Sequence, residues 1–500
     1  MKMRKKIQRF KIGIYLPYLL MATYYFHPTA STSQISFEKT YGGVDDDLGW
    51  SVQQTQDGGY ILTGYTNSFG EGLIDVYLIK TDSLGNVLWL RTYGGTGYEL
   101  GRSVQETQDG GYIIAGYTTS FGSGLQVFLI KTNSLGDTLW TKTYGDFGTE
   151  IGWTIEETQD GGFIIAGSTD NYDAQKSDVY LIRTNSLGDT FWTKTYGDTG
   201  IDIGWSVQET SDGGFIIAGY SESFGAGLSD VYLIKTDSSG ESLWTKTYGG
   251  IWYDYGYSVR ETSDSGYVIA GKSISFSGGS YDDVYLIKTN SQGDTLWTKV
   301  YGGIYNDGGY SVQQTADEGY IITGYTAPYD NDTVDVYLIK TDSAGNTLWT
   351  RTFGGSSLDI GYSVQQTLDS GYIIVGFTKS YGAGGEDVFL IKTAEDGTVG
   401  VEEPDSGGFR FPISDLKLFQ NQPNPFHSTT MIRFMLPASG YISLKIFDIT
   451  GRLVEKLVDG SQESGVYRVE WEGKDQGSGV YFYRLTAGGF VATKKLILLR

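Results

Sequence analysis

Carboxylates that recur in register are the first residues in this chain whose type and spacing could do chemistry. Asp47, Glu99, Glu150, Asp202, Asp254, Asp307 and Asp359 each open an acid-x-Gly triplet, two residues before a run that reads as a strand. A second set, Asp75, Asp178, Asp230, Asp283, Asp335 and Asp387, follows at a near-constant interval, with Gln126 standing where one acid is missing. Both sets are expected on one face of the fold, where they could coordinate calcium or line a sugar site. They could equally hold the backbone amides of their own loops, as Asx turns do, and a feature repeated in every unit reads as architecture. No stretch has the dense Asp-x-Asp-x-Asp-Gly order of a dedicated calcium loop, so no cofactor is assigned and calcium stays an option.

The only two histidines, His27 and His427, lie outside the region that carries these acids, which removes His-based triads, general bases and metal sites from it. Carboxylate chemistry survives that exclusion, because some glycosidases use two acids and nothing more.

Aromatic residues recur too: Trp50, Trp153, Trp205, Tyr257, Tyr310 and Tyr362 share one position, with Arg102 as the exception. Flat rings with polar tips suit carbohydrate stacking, but wedging between neighbouring units is the preferred reading. Departures from the shared pattern are the sharper functional signal. Asp45 and Asp46, Tyr172 and Asp173, Trp252 and Tyr253, and Tyr329 and Asp330 are unit-specific insertions or replacements on one predicted face, and they are the candidate ligand-binding residues.

What positions them is a repeat. Tyr41, Tyr93, Tyr144, Tyr196, Tyr248, Tyr301 and Phe353 fall at intervals of 52, 51, 52, 52, 53 and 52 residues, a period that signals a solenoid, propeller or array. In one unit, Arg102–Thr107, Tyr112–Thr118, Val127–Thr132 and Thr138–Tyr144 are short and rich in β-branched and aromatic residues, and turn chemistry separates them. Each unit therefore reads as a four-stranded antiparallel meander. The two middle strands are apolar on successive residues, so both faces of each sheet must be covered, as in the blades of a β-propeller. A parallel β-helix has shorter coils and no Asp-Gly hairpin in each unit.

The seventh unit stops after "DVFLIKTAEDGTVG", without a fourth strand, and "QISFEKTYGG" near the N-terminus lines up with the missing one. The expected fold is all-β: a seven-bladed propeller over residues 34–400, closed by its N-terminal strand pairing with Asp387–Thr393. Such closure removes the unpaired edges an open ring would expose.

Residues 1–32 read as a signal peptide, with a basic front (Lys2, Arg4, Lys5, Lys6, Arg9, Lys11), an apolar run and small residues near Ala30. The chain has no cysteine and a formal net charge of −22. That excludes a disulfide scaffold, and an acidic body repels nucleic acid and anionic membrane. No transmembrane segment is expected in the mature form.

Residues 401–412 read as an acidic Gly- and Pro-containing linker. Residues 413–500 read as a small immunoglobulin-like β-sandwich, with strand-like runs "TMIRFML", "YISLKIFDI", "VYRVEWEG", "GVYFYRL" and "ATKKLILL". The phrases "NQPNPFHSTTMIRFMLP", "ISLKIFDITGRLVEKLVDG" and "GVYFYRLTAGGFVATKKLILLR" closely resemble the type A C-terminal sorting domain of the bacterial type IX secretion system. A similar module occurs in flagellar hook-capping proteins, but the leader and the C-terminal placement favour sorting. The body resembles secreted bacterial β-propeller repeat proteins. It lacks the Gly-His and Trp-Asp pairs of WD-type blades, and its Gly-Gly doublet precedes the second strand, unlike that of kelch blades.

The resemblance implies export by the type IX machinery to the cell surface, on the outer-membrane exterior, or beyond it. The expected function is non-catalytic binding or adhesion, with a carbohydrate or protein ligand. The alternative is an extracellular carboxylate-dependent hydrolase or lyase acting on polysaccharide.

Overall fold

The computed structural model describes residues 35–499, apart from 123, 147, 171–175, 278–280, 328–332, 401–416, 422, 437–439, 463–464, 475 and 488–489. The leader and linker assigned from sequence, and the candidates Tyr172, Asp173, Tyr329 and Asp330, lie outside the described residues.

Seven four-stranded antiparallel sheets follow one another as blades. In blade one the strands are Asp47–Gln54, Tyr60–Thr66, Asp75–Thr81 and Val87–Tyr93, running from the centre outward. The hairpin between the first two shows why the sequence turns there. Asp57 Oδ1 accepts the Gly59 amide at 2.9 Å and the Thr55 hydroxyl at 2.6 Å, while Gly58 takes a φ of 82°. Only glycine reaches that region without Cβ strain.

The middle strands are buried along their whole length, as their unbroken apolar pattern requires. Their side chains pack against the next blade: Ile216, Ala218, Val231 and Leu233 of blade four share a core with Val259, Ile269, Tyr285 and Ile287 of blade five. One buried residue in each third strand is basic. Lys80 donates to Asp57 at 2.9 Å and to the Thr81 carbonyl at 3.0 Å, and Lys131, Arg183, Lys235, Lys288, Lys340 and Lys392 repeat the arrangement. The hairpin carboxylate thus neutralises a cation that the sheet buries, as burial of a charge demands.

The ring closes as expected. Phe37–Tyr41 pairs antiparallel with blade seven's third strand, in the register Phe37↔Lys392 to Tyr41↔Val388. Trp140↔Lys131 in blade two is the equivalent pair, so the closing strand reproduces an ordinary fourth strand. Blade one then packs on blade seven through Val52, Tyr60 and Leu62 against Ile373, Val375 and Leu390.

Three boundaries differ from the sequence reading, the smallest being the end of the innermost strand at Glu106 in place of Thr107. The innermost strands begin three residues earlier, at the acids themselves (Glu99, not Arg102), and the third strand of blade two begins at Gln126, not Val127. The cause of the earlier innermost start is a β-bulge: pairing shifts between Gly101 and Ser103, so extended backbone continues through the glycine, and Arg102 is the extra residue. Trp50 and its equivalents therefore sit within the innermost strand and do not open it.

The tail forms two sheets, one of Lys417–Leu418, Thr429–Leu436 and Gly465–Glu472, the other of Leu453–Gln462, Gly440–Asp448, Gly479–Ala487 and Phe490–Leu498. Ile432, Phe434, Leu444, Trp471, Tyr483 and Leu496 are the shared core. Leu453–Gln462 and the short Lys417–Leu418 strand were missed from sequence. Among the described residues every regular element is a strand, and no helix is long and apolar enough to cross a membrane.

Candidate functional site

The loops entering the first and third strands meet on one face, joined by bridges such as Ile74↔Tyr98 and Ser229↔Tyr253. Both sets of acids lie beneath this face and pair across blade junctions, the second-set acid of one blade against the first-set acid of the next. Gly249 shows how tightly they meet: a methyl group added there would lie 1.8 Å from Asp230 Oδ1 and 2.7 Å from Asp254 Oδ2.

At the junction of blades four and five each acid is tied to its own loop through one oxygen. Asp254 Oδ2 accepts the Gly250 amide at 2.9 Å and the Ser275 hydroxyl at 2.6 Å, and Asp230 Oδ2 accepts the Ala226 amide at 2.6 Å. Burial, reinforced by Asp307 and Asp282, pushes Asp283 up to about 7. Burial, with Asp47 adding to it, pushes Asp387 up to about 7 against the pull of the Ala383 amide. The same burial brings Asp47 and Asp75 to about 6.

The repeated aromatics form a closed girdle around the channel. Trp153 and Trp205 lie 4.1 Å apart between ring centroids, and contacts run on through Tyr257, Tyr310 and Tyr362 to Trp50. Arg102 completes the circle: its guanidinium lies 3.4 Å from the Trp50 ring centre and 4.6 Å from that of Trp153. A cation between two aromatic faces thus takes the place of a seventh ring. These rings pack on each other, as expected from sequence.

Below the girdle a cavity of about 210 Å³ is lined by Ser51, Gln53, Glu156, Gln208 and Arg260. Most of this layer sews blades together: Gln53 accepts the Glu106 amide at 2.7 Å and Gln365 accepts that of Gln54 at 2.7 Å, across the closure. Burial pushes Glu156 up to about 7, against the pull of the Arg260 guanidinium.

Blade five departs from this regularity. Tyr253, just before the innermost strand Asp254–Glu261, and Tyr255 and Tyr257 within it stack in sequence, with centroids 6.3 Å and 6.1 Å apart and interplanar angles of 7° and 16°. The ladder descends from the exposed rim to the girdle. Tyr220 meets Tyr255 edge-on at 4.8 Å, and Lys272 lies 5.4 Å from the Tyr255 ring centre while paired with Asp282 at 2.9 Å. Trp252 is 50% exposed at the rim.

The sequence candidates separate on this map. Trp252 and Tyr253 head the ladder. Asp45 and Asp46 do not join them, since they stand on blade one and are engaged: Asp45 pairs with Arg468 of the tail, and Asp46 accepts the Glu386 amide at 3.0 Å. Tyr255, Tyr220, Lys272 and Asp282 were missed. Register comparison could have found two of them, because Tyr255 stands where other blades have Leu48, Leu100, Ile151, Ile203, Gly308 or Ile360, and Lys272 where most have an aromatic ring.

The fold and the site define a propeller carrying an aromatic ledge, and the tail defines its destination. Residues 422–499 match the family model described as a secretion system C-terminal sorting domain. The chain is accordingly a secreted or cell-surface-attached protein. Among curated proteins none matches it.

PorZ, a bacterial surface component of the type IX secretion system of Porphyromonas gingivalis, aligns at 14% identity and a TM-score of 0.42, covering 92% of this chain and 60% of that one. This chain therefore spans less than two thirds of PorZ. YCF48 bound to D1 peptide aligns at 9% identity and a TM-score of 0.41, over 73% of this chain and 96% of that one. A puromycin hydrolase aligns at 9% identity and a TM-score of 0.47, over 79% and 60%.

Proposed function

We propose that this protein is a non-catalytic binding protein, displayed on the outer-membrane exterior or released, that takes a carbohydrate on the aromatic ledge of blade five. The observation that carries this reading is the stacked series Tyr253, Tyr255 and Tyr257, with the 50% exposed Trp252 next to Tyr253 in the chain. Sugar rings present apolar C–H faces that stack on such platforms, and the Lys272–Asp282 pair beside Tyr255 offers a charged donor and an acceptor to the hydroxyls.

The repeated acids support binding over hydrolysis. Glycoside hydrolysis needs two carboxyls flanking a bond in an open cleft. Here the acids nearest each other are buried between blades, Asp254 being 0% and Asp230 2% exposed.

A glycan array probed with the purified protein, followed by calorimetry on any hit, tests the reading. Binding that weakens about tenfold or more in Trp252→Ala and in Tyr253→Ala supports it. Failure to bind any glycan, or equal binding by the two variants, removes the ledge as the site.

A further inference from the structure

At four successive junctions both acids carry a buried oxygen with no hydrogen-bond donor: Oδ1 of Asp178 and Asp202, Asp230 and Asp254, Asp283 and Asp307, and Asp335 and Asp359. Asp202, Asp254 and Asp359 are 0% exposed, Asp230 and Asp307 2% and Asp283 5%, while Asp178 and Asp335 are partly exposed, so these oxygens are largely withdrawn from bulk water. Two carboxyls at short range, each with a buried oxygen that lacks a donor, are costly in their charged form without a compensating cation.

The junction between blades two and three shows what the position requires. Gln126 Nε2 donates to the Asp146 carbonyl at 2.9 Å and the Gly145 carbonyl at 3.4 Å. Its Oε1 lies against Gly122 as Asp230 Oδ2 lies against Gly225, at 2.2 Å and 1.9 Å from a methyl group added to each glycine. Where the repeat has Gln, N–H groups meet the main-chain carbonyls of the next loop; where it has Asp, a carboxyl oxygen with no proton to donate approaches the glycine of that loop, as Asp230 Oδ1 does at Gly249. Something positive has to stand between them.

We propose that the Asp178/Asp202, Asp230/Asp254, Asp283/Asp307 and Asp335/Asp359 junctions each hold a divalent cation, calcium by the nature of the ligands. Two carboxylate oxygens, the loop carbonyls equivalent to those of Gly145 and Asp146, and water are a hard, all-oxygen set of the kind calcium takes. The cation would tie each blade to the next at the same loops that form the face.

The test uses the full chain, stripped with chelator at neutral pH and titrated with calcium chloride in a calorimeter, with thermal unfolding run in parallel. Four equivalents should bind, and calcium should raise the unfolding temperature. The double variant Asp230→Asn, Asp283→Asn should bind two equivalents, and in chelator it should unfold no lower than the unaltered chain, because each new amide supplies the donors that Gln126 supplies. Absence of bound calcium, with unfolding indifferent to calcium and chelator, overturns the proposal in favour of a proton shared by each pair. Four equivalents in the double variant also overturn it, by placing the sites elsewhere. If the variant does not fold, native mass spectrometry of the unaltered protein decides: four bound calcium ions support the proposal and none overturns it.

Discussion

Phe37 stands opposite Lys392, in the register that sets Trp140 opposite Lys131 within a single blade. The first described strand of the chain therefore completes the last blade, and the bond between the two ends of the propeller is made by β-pairing and by the burial of Phe37 and Tyr41.

That relationship makes the closing strand disproportionately important. Phe37 is 6% and Tyr41 0% exposed, so Phe37→Ala is expected to cost about 3–5 kcal/mol, the usual range for deleting a buried ring. Removal of Ile35–Tyr41 should cost more, since the ladder to Val388–Lys392 is lost as well. Thermal unfolding measures both; a truncated protein that melts with the intact one would be incompatible with closure.

The hairpin carboxylates predict an acid-sensitive window. Burial resists ionisation of Asp109 and Asp212, but the Thr107 and Thr210 hydroxyls, the Lys131 and Lys235 ammonium groups and the Gly111 and Gly214 amides outweigh it and hold both near 2. A carboxyl depressed in the folded state contributes stability that is complete above its ordinary value of 3.8 and is lost as pH falls toward 2. Denaturant melts between pH 5 and 2, chosen to span that range, should show stability falling below pH 4, and Asp212→Asn should flatten part of the fall. At neutral pH that variant should cost about 1–3 kcal/mol, between surface and buried pairs, because Lys235 is 4% exposed and Asp212 59%.

Adjacent glycines should respond in opposite ways. A methyl group on Gly302 would lie 1.9 Å from Asp283 Oδ1 and 2.7 Å from Asp307 Oδ2, whereas on Gly303 its nearest neighbour is 4.0 Å away. Gly302→Ala should destabilise by about 1–3 kcal/mol through overpacking, and Gly303→Ala should stay within about 0.5 kcal/mol. Equal melting temperatures for the two variants would refute the close convergence of the acids.

On the ledge, Trp252→Ala should leave folding within about 0.5 kcal/mol of the parent, because the side chain is 50% exposed. It should weaken glycan binding about tenfold or more, the value of one aromatic contact of roughly 1.4 kcal/mol. Calorimetry beside a melting curve separates the two effects, and parallel loss of stability and binding would point to damage to the fold.

Sequence by itself determined the repeat, the strands within each unit, the count of blades and the closure, because these depend on local propensity and on a pattern that recurs within each unit. It also identified the sorting tail, whose motifs are local. Only the tertiary structure decided which acids meet. Asp230 and Asp254 belong to different blades, and their convergence depends on the angle at which one sheet packs on the next, which no propensity encodes. Ring geometry likewise turned Arg102 from an exception into the seventh member of a girdle. It also joined Tyr220, on blade four, to Tyr255 and Lys272, on blade five, beside the one exposed tryptophan that the sequence had singled out.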